Sequence, residues 1–141
     1  MIVVEHIKDG YDHSDGNTAI IAALLLGYPQ EKIHFFCGIE HFKVVKKLLE
    51  YNNIQSGNLV HHIIKPYNDF VRDYKLIALD FKTVKKIFRF AKELNENKVI
   101  FLYTSTFLLY YLKLFCLLNK NIRANTVLHG DLERIDLNGT N

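Results

Sequence analysis

The stretch Lys32-Ile33-His34-Phe35-Phe36-Cys37-Gly38 decides the fold, because it begins a strand–helix–strand pattern. It is a short, nearly continuous apolar run that ends at Gly38, which predicts a buried strand. Glu40–Tyr51 follows with apolar residues at helical spacing and lysines largely on the other side, which predicts an amphipathic helix. Leu59–Ile64 is a further strand, ended by Pro66. This order predicts parallel strands joined by a helical crossover.

The same alternation of strands and helices extends in both directions from this unit. At the start of the chain, a strand over Ile2–Ile7 leads through a polar loop to a helix that Ser14 or Asp15 caps and Gly27 ends. Tyr67–Leu79 stays open between a short helix and a loop that crosses the sheet. The remaining predicted elements are a helix at Lys82–Asn95, a strand at Lys98–Tyr103, a helix at Phe107–Leu118 and a strand at Ala124–His129.

This order of elements is typical of a doubly wound α/β domain. Near-continuous apolar strands that alternate with helices indicate a mainly parallel sheet covered on both faces. We predict a Rossmann-like sheet of five strands, or slightly more, in the order 3-2-1-4-5, with the first strand in the centre. A chain of 141 residues is about the length of one domain, so residues 1–141 are expected to form a single domain.

The composition excludes several classes of protein. Hydrophobic residues make up 49% of the chain and charged residues 23%, which is ordinary for a globular protein and excludes a disordered one. Two cysteines cannot build a disulfide scaffold, and we expect Cys37 and Cys116 to be reduced core residues. The net charge of +3 permits attraction to phosphates or an anionic membrane without requiring it. The lysine clusters at Lys43–Lys47 and Lys82–Arg89 are typical of solvated helix faces, so no nucleic-acid partner is expected.

No targeting or membrane-spanning segment is evident in the sequence. Glu5 introduces a charge too early for the apolar part of a signal peptide. The most apolar stretch, Val99–Leu118, is interrupted by Thr104–Thr106 and by Lys113, which predicts a strand and then a buried helix rather than a spanning helix. We expect a cytoplasmic protein, with a peripheral membrane contact left open. The aromatic residues of the last helix are expected in the core: Phe107, Tyr110 and Tyr111.

Candidate binding residues follow from the topology of the sheet. Ligands of open α/β sheets bind beyond the carboxyl ends of the strands, near the point where the strand order reverses. Here the loops after the first and fourth strands meet at that point, with the segment after the fifth strand beside them. Both loops are polar and lead into helix N-termini, whose free N–H groups suit anions such as phosphate. The candidate residues are Asp12, His13, Ser14, Asp15, Gly16, Asn17, Thr104, Ser105 and Gly130, together with His129, which directly precedes Gly130.

Several well-known motifs are absent from the sequence. The Gly-x-Gly-x-x-Gly fingerprint, the phosphate loop and the Gly-x-Ser-x-Gly elbow are missing, which argues against NAD binding and P-loop hydrolysis. His61 and His62 are neighbours on a strand and point to opposite faces, so joint metal binding is not expected. No cysteine or further histidine lies at the spacing of a zinc-finger ligand set, and no metal site is predicted. His34 fits the core or a sheet face, and His6 stays open between structure and site.

One segment resembles a known enzyme family. Val127-Leu128-His129-Gly130-Asp131-Leu132-Glu133 resembles the apolar-x-His-Gly-x-Leu-Glu segment of GT-B glycosyltransferases, in particular the retaining enzymes of family 4. The loop Asp12–Asn17 and the apolar helix Thr18–Leu26 resemble the acceptor-side loop and first helix of that family's Rossmann-like N-terminal domain. The resemblance covers most of the chain as architecture, but its motifs are short. The family's usual Gly-Gly near the first loop is not present.

The resemblance implies the acceptor-side half of an enzyme that moves a sugar from a nucleotide-sugar donor to a glycan or lipid-linked acceptor. His129 would be catalytic, with its imidazole or its backbone carbonyl stabilising the sugar ring as positive charge develops. The alternative is a structural histidine that only hydrogen-bonds a loop. The family's second domain carries the donor site, with a Glu-x7-Glu pattern and a basic pair for the diphosphate, and none of this is in the sequence. The donor is therefore expected to bind mainly to a missing C-terminal domain, with no cofactor of the chain's own. The chain alone is expected to be inactive.

The alternative is a non-catalytic Rossmann-like module that binds a nucleotide or another protein. A parent reading frame that continues into a second α/β domain with the Glu-x7-Glu pattern would favour the glycosyltransferase. A reading frame that stops at Asn141 would favour the binding module.

Overall fold

The protein alternates short strands with helices, as the sequence predicts. A computed structural model describes residues 1–5, 14–64, 73–103 and 106–127, and these ranges form five strands and four helices. The strands are β1 (Ile2–Val4), β2 (Ile33–Cys37), β3 (Leu59–Ile63), β4 (Lys98–Phe101) and β5 (Arg123–Thr126). The helices are α1 (Ser14–Gly27), α2 (Ile39–Tyr51), α3 (Asp73–Glu93) and α4 (Thr106–Leu118).

The five strands form one parallel sheet in the order β3-β2-β1-β4-β5, which confirms the predicted order with β1 in the centre. Val3 is in register with Phe35 of β2 on one side and with Ile100 of β4 on the other. The strand order therefore reverses between β1 and β4. In this fold the carboxyl ends of the strands at the reversal border the ligand crevice.

The side chains of β1 alternate between two core layers, as they must on a pleated strand. Ile2 and Val4 pack with buried residues of α3 and α4, such as Phe88 and Leu108. Val3 points the other way and packs with buried residues of α1 and α2. Because helices cover both faces of the sheet, β1 is apolar on both sides, which explains its continuous apolar run.

The outer side of α4 differs from the prediction of a buried helix. Leu108 and Leu112 are buried against the sheet, but Phe107 and Tyr110 are exposed and Tyr111 is half-buried. The expected core position is therefore wrong for Phe107 and Tyr110. α4 packs on α3 and β5, and these neighbours reach only its inner side. No helix in the described ranges is long and apolar enough to cross a membrane.

All four described helices begin earlier than predicted, α2 and α4 by a single residue. α1 begins at Ser14, so Ser14 and Asp15 belong to its first turn instead of flanking it as caps. The partial positive charge at a helix N-terminus favours an acidic residue such as Asp15 in that turn. α3 begins at Asp73 instead of Lys82, and the open stretch Tyr67–Leu79 ends within it. Neither Gly nor Pro interrupts the chain from Asp73 to Lys82, so no residue there breaks the helix.

The fifth strand ends earlier than predicted. β5 ends at Thr126 and Val127 lies outside it, whereas the prediction extends the strand to His129, a residue outside the described ranges. Thr126 is in register with Phe101, the last residue of β4, and the Val127 N–H donates to the Phe101 carbonyl at 2.9 Å. This bond is the last one described between β4 and β5.

Candidate functional site

A buried polar cluster lies at the carboxyl edge of the sheet, where β1, β2 and two helix N-termini meet. Glu5 directly follows β1 and is only 2% exposed. Its backbone N–H donates to the Phe36 carbonyl at 2.7 Å, which extends the pairing of β1 with β2 and fixes the position of Glu5. Asn17, near the start of α1, is fully buried beside it. His41, in the first turn of α2, places its Nδ1 atom 3.7 Å from Glu5 Oε1.

The polar atoms of this cluster have few partners. No hydrogen bond satisfies either carboxyl oxygen of Glu5 or the side-chain amide of Asn17 within the part of the chain that the structure describes. Asn17 lies close enough to stabilise the charged carboxyl, although the contact falls short of hydrogen-bond geometry. Leaving such groups buried and unpaired costs about 1–3 kcal/mol each. A cluster of this kind gains stability when a ligand supplies hydrogen bonds.

Burial controls the ionisation of the cluster. It raises the pKa of Glu5 from 4.5 to about 7, because the charged form loses its water, and Asn17 opposes the shift. The carboxyl is therefore partly protonated near neutral pH, and its protonated form is able to donate as well as accept a hydrogen bond. Burial also raises the pKa of the Cys37 thiol at the end of β2, and the neighbouring Glu5 raises it further. Cys37 is a free, buried and protonated thiol, in keeping with the predicted inert core residue.

A second polar group lies on the sheet face that α3 covers. His34 Nδ1 and His62 Nε2 are 3.0 Å apart and share one proton in a hydrogen bond. The His62 ring stacks on Phe36 with centroids 4.6 Å apart, and Phe90 contacts both histidines edge-on. Burial lowers the pKa of both rings. His34 Nε2 lies 3.9 Å from Glu96 Oε1.

His61 lies on the opposite face, which confirms the predicted divergence of the two adjacent histidines. Its ring stacks on Phe42 of α2 with centroids 4.0 Å apart, and its Nε2 atom donates to the Cys37 carbonyl at 3.0 Å. Among the described residues, no group of three His, Cys, Asp or Glu side chains could hold a metal ion. The three strand histidines therefore pack and hydrogen-bond within the fold.

The structure places only part of the predicted site. Ser14 and Asp15 start the backbone of α1, Gly16 is exposed beside them, and Asn17 is buried against Glu5. The other predicted residues lie outside the described ranges: Asp12, His13, Thr104, Ser105, His129 and Gly130. So does His6.

Glu5 and His41 were missed as candidates. Glu5 had a detectable signal in the sequence, because a charged residue directly follows an apolar strand that the topology places in the centre. His41 had none, since its position depends on how α2 packs beside β1.

The fold and this cluster define a Rossmann-like α/β domain with a titratable polar group at the carboxyl edge of its central strand. Comparison of the chain with protein-family models, with curated proteins and with solved structures finds no match in any of the three.

Proposed function

We propose that the chain is the acceptor-side domain of a retaining GT-B glycosyltransferase. In this proposal it binds a glycan or a lipid-linked acceptor, and a separate C-terminal domain binds the nucleotide-sugar donor. His129 acts beside the transferred sugar, as the resemblance of Val127–Glu133 to the family 4 segment implies. The chain by itself then transfers no sugar.

The observation that carries the proposal is the unsatisfied pair of Glu5 and Asn17 at the carboxyl edge. Glu5 directly precedes residues 6–13, which the sequence predicts to form a polar loop, and Asn17 lies near the start of the helix that follows them, so the pair lies where that predicted loop begins and ends. A carboxyl with a pKa near 7 and a side-chain amide each donate and accept hydrogen bonds. Sugar hydroxyls have the same dual capacity, so a glycan is a chemically matched ligand.

The topology supports the same position. β1 is central and the strand order reverses beside it, where α/β domains of this kind bind their ligands. β1 and β4 both end at this edge, and the sequence predicts that the polar segments after them, with Asp12, His13, Thr104 and Ser105, start from it. An acceptor held there would face a second domain placed across the crevice.

The test is a titration of the isotope-labelled chain by NMR. Methyl glycosides and short glycans are expected to shift the backbone amide signals of Glu5, Asn17 and His41. Nucleoside diphosphate sugars are expected to bind weakly and to stay intact. Tight nucleotide binding at this edge, with no response to any glycan, would overturn the proposal in favour of a nucleotide-binding module.

Two asparagine variants provide the matched control. Asn17→Ala removes the amide beside Glu5 and is expected to weaken glycan binding about tenfold, the scale of one lost polar contact. Asn58→Ala removes an amide before β3 that donates to the Pro29 carbonyl, away from the site, and should leave binding unchanged. Equal loss in both variants would show that neither effect comes from the proposed site. A thermal melt of each variant checks the fold.

A further inference from the structure

The outer side of α4 presents an unusual apolar surface. Seven described side chains of this helix are exposed, and six of them are apolar, Lys113 being the exception. The exposed apolar side chains lie on one continuous half of the helix: Phe107, Leu109, Tyr110, Leu114, Leu117 and Leu118. By contrast, the exposed side of α2 carries mostly Lys and Glu. A contiguous apolar face of this kind marks a surface that contacts something other than water.

Basic side chains lie beside α4: Lys85, Arg89 and Lys92 of α3 line a cleft together with Phe115 of α4 and Asn119. Between residues 81 and 127 the chain has nine Lys and Arg against two Glu, whereas residues 1–64 have five basic and seven acidic residues. The excess positive charge of the molecule is thus concentrated on the part that holds α3, α4 and β5. The basic residues are Lys82, Lys85, Lys86, Arg89, Lys92, Lys98, Lys113, Lys120 and Arg123.

A groove continues the apolar face at the C-terminal end of α4. It has a volume of about 900 Å³ and is lined by Leu118, Lys120 and Arg123 together with Lys92 of α3. Lys98 also lines it and pairs with Glu31, and Glu96 in the wall pairs with the N-terminal ammonium group. The basic side chains outnumber the acidic one, so the groove suits an anionic group.

The helix cannot cross a bilayer. Its 13 residues span about 20 Å at 1.5 Å per residue, well short of the roughly 30 Å hydrocarbon core. An apolar helix face with a basic surround is instead typical of a helix that lies in the plane of a membrane interface. We propose that α4 and the basic groove beside it bind the surface of an anionic lipid bilayer. The apolar side chains enter the interface, and the groove receives lipid headgroups.

The charge distribution favours a bilayer over a second copy of the chain. A symmetric dimer through this face would bring two sets of basic residues together, and like charges at an interface oppose association. An anionic bilayer presents the opposite charge over the whole surface, and each Lys or Arg near it strengthens binding about fivefold. The membrane contact is independent of the sugar chemistry at the carboxyl edge.

Vesicle co-sedimentation of the full chain tests the proposal. Vesicles of phosphatidylcholine with about 30% phosphatidylglycerol are expected to bind the chain, and vesicles of phosphatidylcholine alone to bind it far more weakly. Added salt should weaken the binding, because it screens the attraction. No binding to the anionic vesicles, or equal binding to both kinds, would overturn the proposal. Competition by inorganic phosphate alone, at low concentration, would show that the groove selects a free anion and would also overturn it.

Matched variants assign the contact to α4. Leu117→Ser replaces a side chain that is 65% exposed on α4, and Leu26→Ser replaces one that is 69% exposed on α1. The first is expected to weaken vesicle binding about tenfold and the second to leave it unchanged. Lys120→Gln with Arg123→Gln should weaken it about twentyfold or more, whereas Lys43→Gln with Lys46→Gln on α2 should not. Equal losses on both helices would refute the assignment. A dimer that forms with increasing protein concentration and is abolished by Leu117→Ser would also refute the assignment.

Discussion

Replacing Glu5 with glutamine should stabilise the folded protein at alkaline pH, although it removes a charged residue from the candidate site. The carboxyl is only 2% exposed, and burial raises its pKa from 4.5 to about 7. The folded protein therefore favours the neutral form. The stability that this group contributes is fully present below its unfolded pKa and is lost as the pH rises through about 7.

The size of the loss follows from the two pKa values. At about 1.4 kcal/mol for each pKa unit, the difference between 4.5 and about 7 corresponds to about 3 kcal/mol of unfolding free energy once the loss is complete. Roughly 2 to 3 kcal/mol of it falls between about pH 5 and pH 8. Glutamine has the shape of the protonated carboxyl and does not titrate. The free energy of unfolding of Glu5→Gln should equal that of the original protein to within about 1 kcal/mol near pH 5. Near pH 8 it should be higher by about 2 to 3 kcal/mol.

Urea unfolding at a series of pH values measures this difference. His34 and His62 titrate in the same range with the opposite sign, but they are present in both proteins and cancel in the comparison. Glu40→Gln is the control, because Glu40 is 84% exposed on α2 and should give no such pH-dependent gain. Parallel pH profiles for Glu5→Gln and the original protein would refute the interpretation of Glu5 as a buried carboxyl with a raised pKa.

Two further predictions concern the polar groups of the strands. Burial lowers the pKa of His34 and His62, so protonation favours unfolding and the stability that they contribute is lost as the pH falls below about 6.5. His62→Phe keeps the stacking on Phe36 but removes the shared hydrogen bond, so it should cost about 1 kcal/mol near pH 7 and less near pH 5 in urea unfolding. A cost that stays constant with pH would contradict this. A thiol reagent should label half-buried Cys116 long before Cys37 in the folded protein, and both together in denaturant. Equal labelling rates in the folded protein would count against the burial of Cys37.

The sequence predicts the sheet because buried parallel strands carry their signal locally. Ile33–Cys37 is apolar almost throughout, and so are the runs that become β1 and β4, so their order and their alternation with helices follow from the pattern. The ends of elements depend instead on partners. β5 ends at Thr126 and β4 ends in register with it at Phe101, and neither a glycine nor a proline follows either end directly.

The candidate site is harder to predict, because it is assembled from separate elements. Asn17 was identified as a binding residue because the sequence predicts it in the polar loop Asp12–Asn17, but its neighbour Glu5 directly follows β1 and His41 comes from α2. A buried acid also looks like any other charged residue until the packing around it is known. The large side chains of α4 were wrongly predicted for a similar reason: Phe107 and Tyr110 are residue types that are common in protein cores, but here they are exposed.

The proposed membrane surface and the proposed acceptor site have a geometric relation. α4 begins at Thr106, shortly after β4 ends at Phe101, so its first turn lies at the carboxyl edge where Glu5 is found. Its last turn lies at the other edge, where the basic groove opens beside Leu118. If α4 lies flat in the interface, the carboxyl edge opens along the lipid surface and not away from it. Glu5 itself lies on the α1–α2 side of the sheet, beside Asn17 and His41, whereas α4 covers the opposite side. An acceptor bound at Glu5 therefore has to pass around the carboxyl edge of the sheet to remain in contact with the bilayer.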